Sequence, residues 1–140
     1  MNGSASGGYR QERVDVLGSA GDSTIVGAVK AAKAHNKGVV VDLIGVADKV
    51  TRAREVTALG AQFVEMHARL DEQAEPGFTL ATLINQGETA KIPFSLAGGV
   101  NLSTIASVQR AGATVAVAGG AIYGAADPAE AAKALRAAII

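Results

Sequence analysis

The chain has no cysteine and no tryptophan, and aromatic residues make up only 4% of it. Without thiols there is neither a disulfide scaffold nor a thiolate metal site. Charge of one sign is also missing, because 13 basic residues face 13 acidic ones. A balanced surface lacks the basic stripe that neutralises a phosphate backbone, which excludes nucleic acid as a partner. Long apolar runs are absent too: charge or glycine interrupts each one well short of the ~20 residues a membrane helix needs, so no membrane partner is expected. The opening stretch, Met1–Arg13, is glycine, serine and charge without the apolar centre of a secretory signal. It reads as a disordered tail over residues 1–13, and the whole profile suits a cytoplasmic protein.

What is present is enough for one domain. The 140 residues are 49% hydrophobic, sufficient for a sizeable core. From Val14 to Ile140 one unit recurs: a short β-branched run, a polar or glycine break, a helical pattern, then a glycine leading into the next run. Strands are predicted at Val14–Leu17, Gly38–Ile44, Phe63–His67, Pro93–Ala97 and Val115–Ala118. Their near-continuous apolar character predicts parallel strands covered on both faces. Helical faces show in Ile25, Val26, Val29 and Ala32, capped by Asp22 or Ser23, and in Ala53, Val56 and Leu59, stopped by Gly60. Leu80, Leu83 and Ile84 mark a helix ending near Gly87, and Asn101 or Ser103 opens another that closes at Gly112. Asp127-Pro128-Ala129-Glu130 is a helix start with cap, first-turn proline and carboxylate in order.

Five β/α units of roughly 25 residues imply an α/β fold with a parallel sheet. Two architectures accommodate them: an open, doubly wound, flavodoxin-like sheet, or a partial (β/α)8 TIM barrel. Length alone favours the open sheet, since a complete barrel takes about 250 residues.

In either architecture, ligands gather at the C-terminal ends of the strands. Those ends carry Gly18-Ser19, Asp42, His67 with Asp71 and Gln73, Gly98-Gly99 and Gly119-Gly120. Glycine pairs let backbone N–H groups approach an anion, and two consecutive matching turns favour phosphate binding over simple tight turns. His67, at a strand end, suits either proton transfer near neutral pH or a hydrogen-bonded place on the rim. His35 sits in the last turn of a helix, where a donor suits the dipole, and reads as structural. Asp42 interrupts Val39-Val40-Val41-Asp42-Leu43-Ile44 and is costly there unless paired or functional.

At these residues the chain resembles the 3-hexulose-6-phosphate synthase family, in the orotidine-5′-phosphate decarboxylase suprafamily. The resemblance runs in order through Asp22-Ser23-Thr24-Ile25, Gly38–Gly45, Phe63–His67, Ala97–Val100 and Val117–Gly124, and covers Val14 to Ile140. It implies a barrel in which the five units are strands four to eight, residues 14–140 being a truncated barrel domain and residues 1–13 foreign to it. It implies an aldehyde-lyase that condenses formaldehyde with ribulose 5-phosphate through a magnesium-bound enediolate, acting as a homodimer at full length. His67 and Asp42 would then be catalytic, His67 handling a proton. Asp71 and Gln73 would orient His67 or contact substrate, and Gly98, Gly99, Gly119 and Gly120 would hold the sugar phosphate.

The sister branch, 3-keto-L-gulonate-6-phosphate decarboxylase, carries Glu, Arg, Thr and Arg where this chain has Asp42, Leu70, Ala97 and Gly120, so the choices are synthase-like. One departure is large. The family's Asp-x-Lys-x-x-Asp, on which its metal chemistry depends, does not occur, as no Asp is followed two residues later by Lys. The expectation is therefore no metal ligand within the chain and an inactive isolated fragment. The remaining alternatives are a non-catalytic phosphosugar-binding or barrel-complementing fragment and a decarboxylase-like activity. A barrel segment of this kind is also expected to expose two strand edges and an apolar inner face.

Overall fold

The computed structural model describes residues 12–140. The expected tail lies outside the described residues except for its end. There Glu12 pairs with Lys37 at 2.7 Å and Arg13 already belongs to the first strand, which thus begins one residue before Val14. Elements follow in the order β1 (Arg13–Leu17), α1 (Asp22–Ala34), β2 (Gly38–Asp42), α2 (Lys49–Ala58), β3 (Phe63–His67), α3 (Leu70–Ala74), α4 (Leu80–Ala90), β4 (Phe94–Ala97), α5 (Ile105–Arg110), β5 (Val115–Val117), α6 (Gly120–Tyr123) and α7 (Pro128–Ala137). All neighbouring strands are parallel and run β1-β2-β3-β4-β5. Sequential order without a reversal is the arrangement of a (β/α)8 barrel segment and removes the doubly wound sheet.

Because successive side chains alternate across a strand, parallel register sorts each residue to one of two faces. The face bearing Val39, Val41, Val64, Met66, Phe94 and Leu96 packs on Ile25, Val29, Ala53, Val56, Leu83, Ile105 and Val108 of the helices. This is the core. The opposite face is different from expectation. Its rows read Asp15–Val40–Phe63, then Leu17–Asp42–Glu65–Ser95–Val115, then His67–Ala97–Val117. The inner face is thus mixed, with Asp15, Asp42, Glu65, Ser95 and His67 set among apolar residues. The apolar runs concealed a polar residue at alternate positions in four strands.

Several element ends shift for local reasons. β2 stops at Asp42 because the Asp42 carboxylate accepts the N–H of Ile44 at 2.9 Å and turns the chain. α1 begins after Gly21 without a side-chain cap; Asp22 lies in its first turn and its carboxylate is instead engaged by Arg52 at 2.7 Å. The fourth predicted helix begins only at Ile105, because the Asn101 amide oxygen accepts from the N–H and the hydroxyl of Ser103 in a preceding turn. Gly87 does not end α4, which continues to Ala90. Its missing Cβ admits the Phe94 ring, which a Cβ would meet at 2.5 Å. The α7 start forms as the sequence reads: Asp127 accepts the Glu130 N–H at 3.1 Å, with Pro128 in the first turn.

The core predicts an unequal response to leucine truncation. Leu96, fully buried beneath the helices, should cost about 2–5 kcal/mol as Leu96→Ala. Leu102, more than half exposed, should change stability by no more than about 0.5 kcal/mol as Leu102→Ala. Denaturant unfolding of the two variants checks the contrast, and equal losses would place the core elsewhere.

Candidate functional site

The C-terminal ends of β3, β4 and β5 open into one cleft of about 900 Å³. Of the residues singled out by sequence, His67, Asp71, Gln73, Gly98, Gly99, Gly119 and Gly120 all line it. Asp42 stands behind them, joined through His67. The parallel pairing of β2 with β3 sets Asp42 beside Glu65, and His67, two residues further along β3, reaches back over the same face. Its Nδ1 lies 3.1 Å from each Asp42 carboxylate oxygen and 3.6 Å from Glu65. A nitrogen so close to a carboxylate carries the proton and donates it, which leaves Nε2 as the ring position able to accept one.

Glu65 was not legible as a site residue, and it is the group whose chemistry changes most. Burial, then the neighbouring negative charge of Asp42, push its carboxyl up to about 7, with Asp15 adding to the rise and His67 opposing it. Asp15 on β1 is raised for the same leading reasons, burial and then Asp42. Ser95, buried on β4, places its hydroxyl 3.4 Å from Glu65. The signal was the recurrence of Val14-Asp15-Val16, Val41-Asp42-Leu43, Val64-Glu65-Met66 and Phe94-Ser95-Leu96. Each puts a polar side chain between two apolar ones, and register aligns three of them in one row. Asp42, Glu65 and His67 each bring one ligand atom within 4.8 Å of the others, a grouping that could hold a metal ion.

Asp71 and Gln73 take separate places. Neither is bonded to His67, whose ring is held by Asp42 instead. Asp71 is exposed and pairs with Arg69 at 3.1 Å. Gln73 donates its side-chain N–H to the Ala68 carbonyl at 2.9 Å, closing the β3–α3 loop. That loop packs on Gly98, whose φ of +104° suits glycine and whose missing Cβ would come 2.9 Å from the Ala68 oxygen. Across the cleft, Gly119 precedes α6, a single turn of four residues. So short a helix adds little dipole, and the cradle consists of backbone amides. Among the described residues, the N–H groups of Gly98, Gly99, Gly119 and Gly120 have no backbone acceptor.

The raised Glu65 carboxyl has a signed consequence. A group that holds its proton more tightly when folded stabilises fully below its ordinary value near 4.5 and loses that contribution as pH rises through about 7. Glu65→Gln should therefore melt about 3 °C higher than the parent at pH 8, with the gap closing near pH 4.5. Thermal unfolding with chelator at both pH values measures it; a gap independent of pH would show that Glu65 holds its proton no more tightly folded than unfolded.

The chain is similar to known proteins. The 3-hexulose-6-phosphate synthase of Mycobacterium gastri is 75% identical over 126 residues, 90% of this chain and 61% of that protein. The synthase of Methylomonas aminofaciens is 48% identical over 120 residues, 84% of this chain and 56% of that protein. A crystal structure of 3-hexulose-6-phosphate synthase superposes with a TM-score of 0.88 at 74% identity, covering 91% of this chain and 62% of the other. The chain thus spans about three fifths of the length of these relatives. The sequence model of the orotidine 5′-phosphate decarboxylase / HUMPS family matches residues 11–135. With that match across most of its length, the chain belongs to the orotidine 5′-phosphate decarboxylase / HUMPS family.

Proposed function

We propose that this chain supplies the phosphosugar-binding and proton-handling side of a 3-hexulose-6-phosphate synthase, a lyase joining formaldehyde to ribulose 5-phosphate. The observation that carries the reading is one cleft lined both by His67, whose ring Asp42 holds, and by the two double-glycine turns. An anionic phosphate needs donors without charge-bearing competitors, and the amides of Gly98, Gly99, Gly119 and Gly120 supply them. A carbon acid next to a carbonyl needs a base of suitable basicity, and Nε2 of His67, with Nδ1–H fixed by Asp42, is that base. Asp42 holds the tautomer and balances the imidazolium formed on proton uptake. Gln73 acts on the site by shaping the loop against Gly98, and Asp71 by holding Arg69 at the mouth.

Magnesium, implied by the family resemblance, prefers an octahedron of oxygen ligands. Asp42 and Glu65 offer carboxylates, but Nδ1 of His67 is engaged by Asp42, and an imidazole nitrogen suits a borderline metal better. The trio does not fit magnesium unaided, and no step is assigned through the ion. The carboxylate–lysine motif of the family is not in these 140 residues. Pre-organised charge opposite an enediolate is usually the largest catalytic contribution, so the reading separates binding from turnover.

Two outcomes follow. Calorimetry should detect ribulose 5-phosphate binding to the chain, and Gly119→Val should weaken it about tenfold, ~1.4 kcal/mol. The added side chain starts from a Cβ only 3.3 Å from the Tyr123 ring and closes the amide cradle; unchanged affinity would remove this site. The 140 residues alone should show no formaldehyde consumption with ribulose 5-phosphate and magnesium. Turnover should appear on adding a polypeptide that carries the Asp-x-Lys-x-x-Asp strand, whereas robust turnover without it would show the machinery misplaced.

A further inference from the structure

Lys49 stands where elementary rules would not put a lysine. It opens α2, where its positive charge meets the positive end of the helix dipole, and it is 5% exposed, a burial that ammonium groups tolerate only when paired. Its Nζ donates to the Val46 carbonyl at 2.9 Å and lies 3.5 Å from the Glu72 carboxylate. Val46 belongs to the loop after β2 and Glu72 to α3, which follows β3. The same Glu72 oxygen accepts the Arg69 N–H at 3.2 Å, capping α3. One residue on, Gln73 closes that loop onto Ala68 and rests against Gly98.

We infer that Lys49 is a positioning residue. Its buried ammonium fastens the loop after β2 to the loop after β3, and through α3 it sets where Gln73 holds the Gly98 turn. The inference deepens the phosphosugar reading and rests on it for the ligand, but the fastening itself exists without ligand. Replacing the ammonium by a thioether of similar length keeps the packing of the stem and removes both donor bonds. Glu72 then loses its buried partner and keeps only its contacts with Arg69.

The test compares the parent chain with Lys49→Met and Glu72→Gln, first without ligand. Amide NMR and hydrogen exchange follow Gly98, Gly99 and the Gln73 side-chain amide, with Val64 and Leu96 amides as core references. Both variants should shift the Gly98 and Gln73 signals and lower protection across the β3–α3 loop about tenfold, with the core references unchanged. Ribulose 5-phosphate affinity by calorimetry should fall about tenfold in parallel. Unmoved Gly98 and Gln73 signals in Glu72→Gln would overturn the inference even if Lys49→Met failed to fold. Loss of protection in Lys49→Met spread evenly through the core would also overturn it, assigning Lys49 to global stability. If the parent chain binds no ribulose 5-phosphate, the phosphosugar reading falls, and the ligand-free signals alone decide the role of Lys49.

Discussion

The hydrogen bond from His67 to Asp42 depends on the pairing of β2 with β3, and most of the site depends on that bond. Parallel register sets Asp42 opposite Glu65, so two carboxylates are brought together before any ligand is considered. Their repulsion is moderated by the nearby imidazole, and together with burial it pushes the Glu65 carboxyl up to about 7. The result is a compact polar row across strands whose other face is fully apolar. Loops then complete the cleft: the β3–α3 loop covers one side, and the double-glycine turns line the other.

Much of this was readable from the residues. Runs of β-branched side chains and the glycines that follow helices located all five strands, because local backbone preferences decide such boundaries. Gly98-Gly99 and Gly119-Gly120 were legible as two matching turns at strand ends, and at Gly98 the reason is the Ala68 carbonyl, 2.9 Å from where a Cβ would stand. What was hidden depends on contacts distant in sequence. Glu65 looked like one polar residue inside a strand until register put it beside Asp42. The burial of Lys49 had no local signal, because its partner Glu72 lies 23 positions away. Gly87 read as a helix stop because its actual reason, the ring of Phe94, lies in another element.

The family relationship and the geometry meet at the rim. A relative that shares three quarters of the aligned residues carries the name of a synthase, and the described cleft brings His67 and the two glycine pairs together. The two lines of argument bear on different things. Similarity locates the chain in its barrel family, whereas the distances say which atoms meet: Nδ1 of His67 lies 3.1 Å from Asp42, and among the described residues the glycine amides have no backbone acceptor. The absent carboxylate–lysine motif bears on turnover and leaves these assignments intact.

The alternation of acids with aliphatic residues has a consequence for assembly of the sheet itself. Sliding any of β1, β2 or β3 by one residue would exchange the two faces of that strand. Asp15, Asp42 or Glu65 would then be driven against Val56, Leu83 and the other helix side chains, where an unpaired carboxylate costs several kcal/mol. The valines displaced in exchange would recover nothing in the polar row. The acids therefore act as a proofreading code for strand alignment. A chain that folds at all must fold with its chemistry facing the mouth, so selection for correct pairing and selection for the site fall on the same side chains.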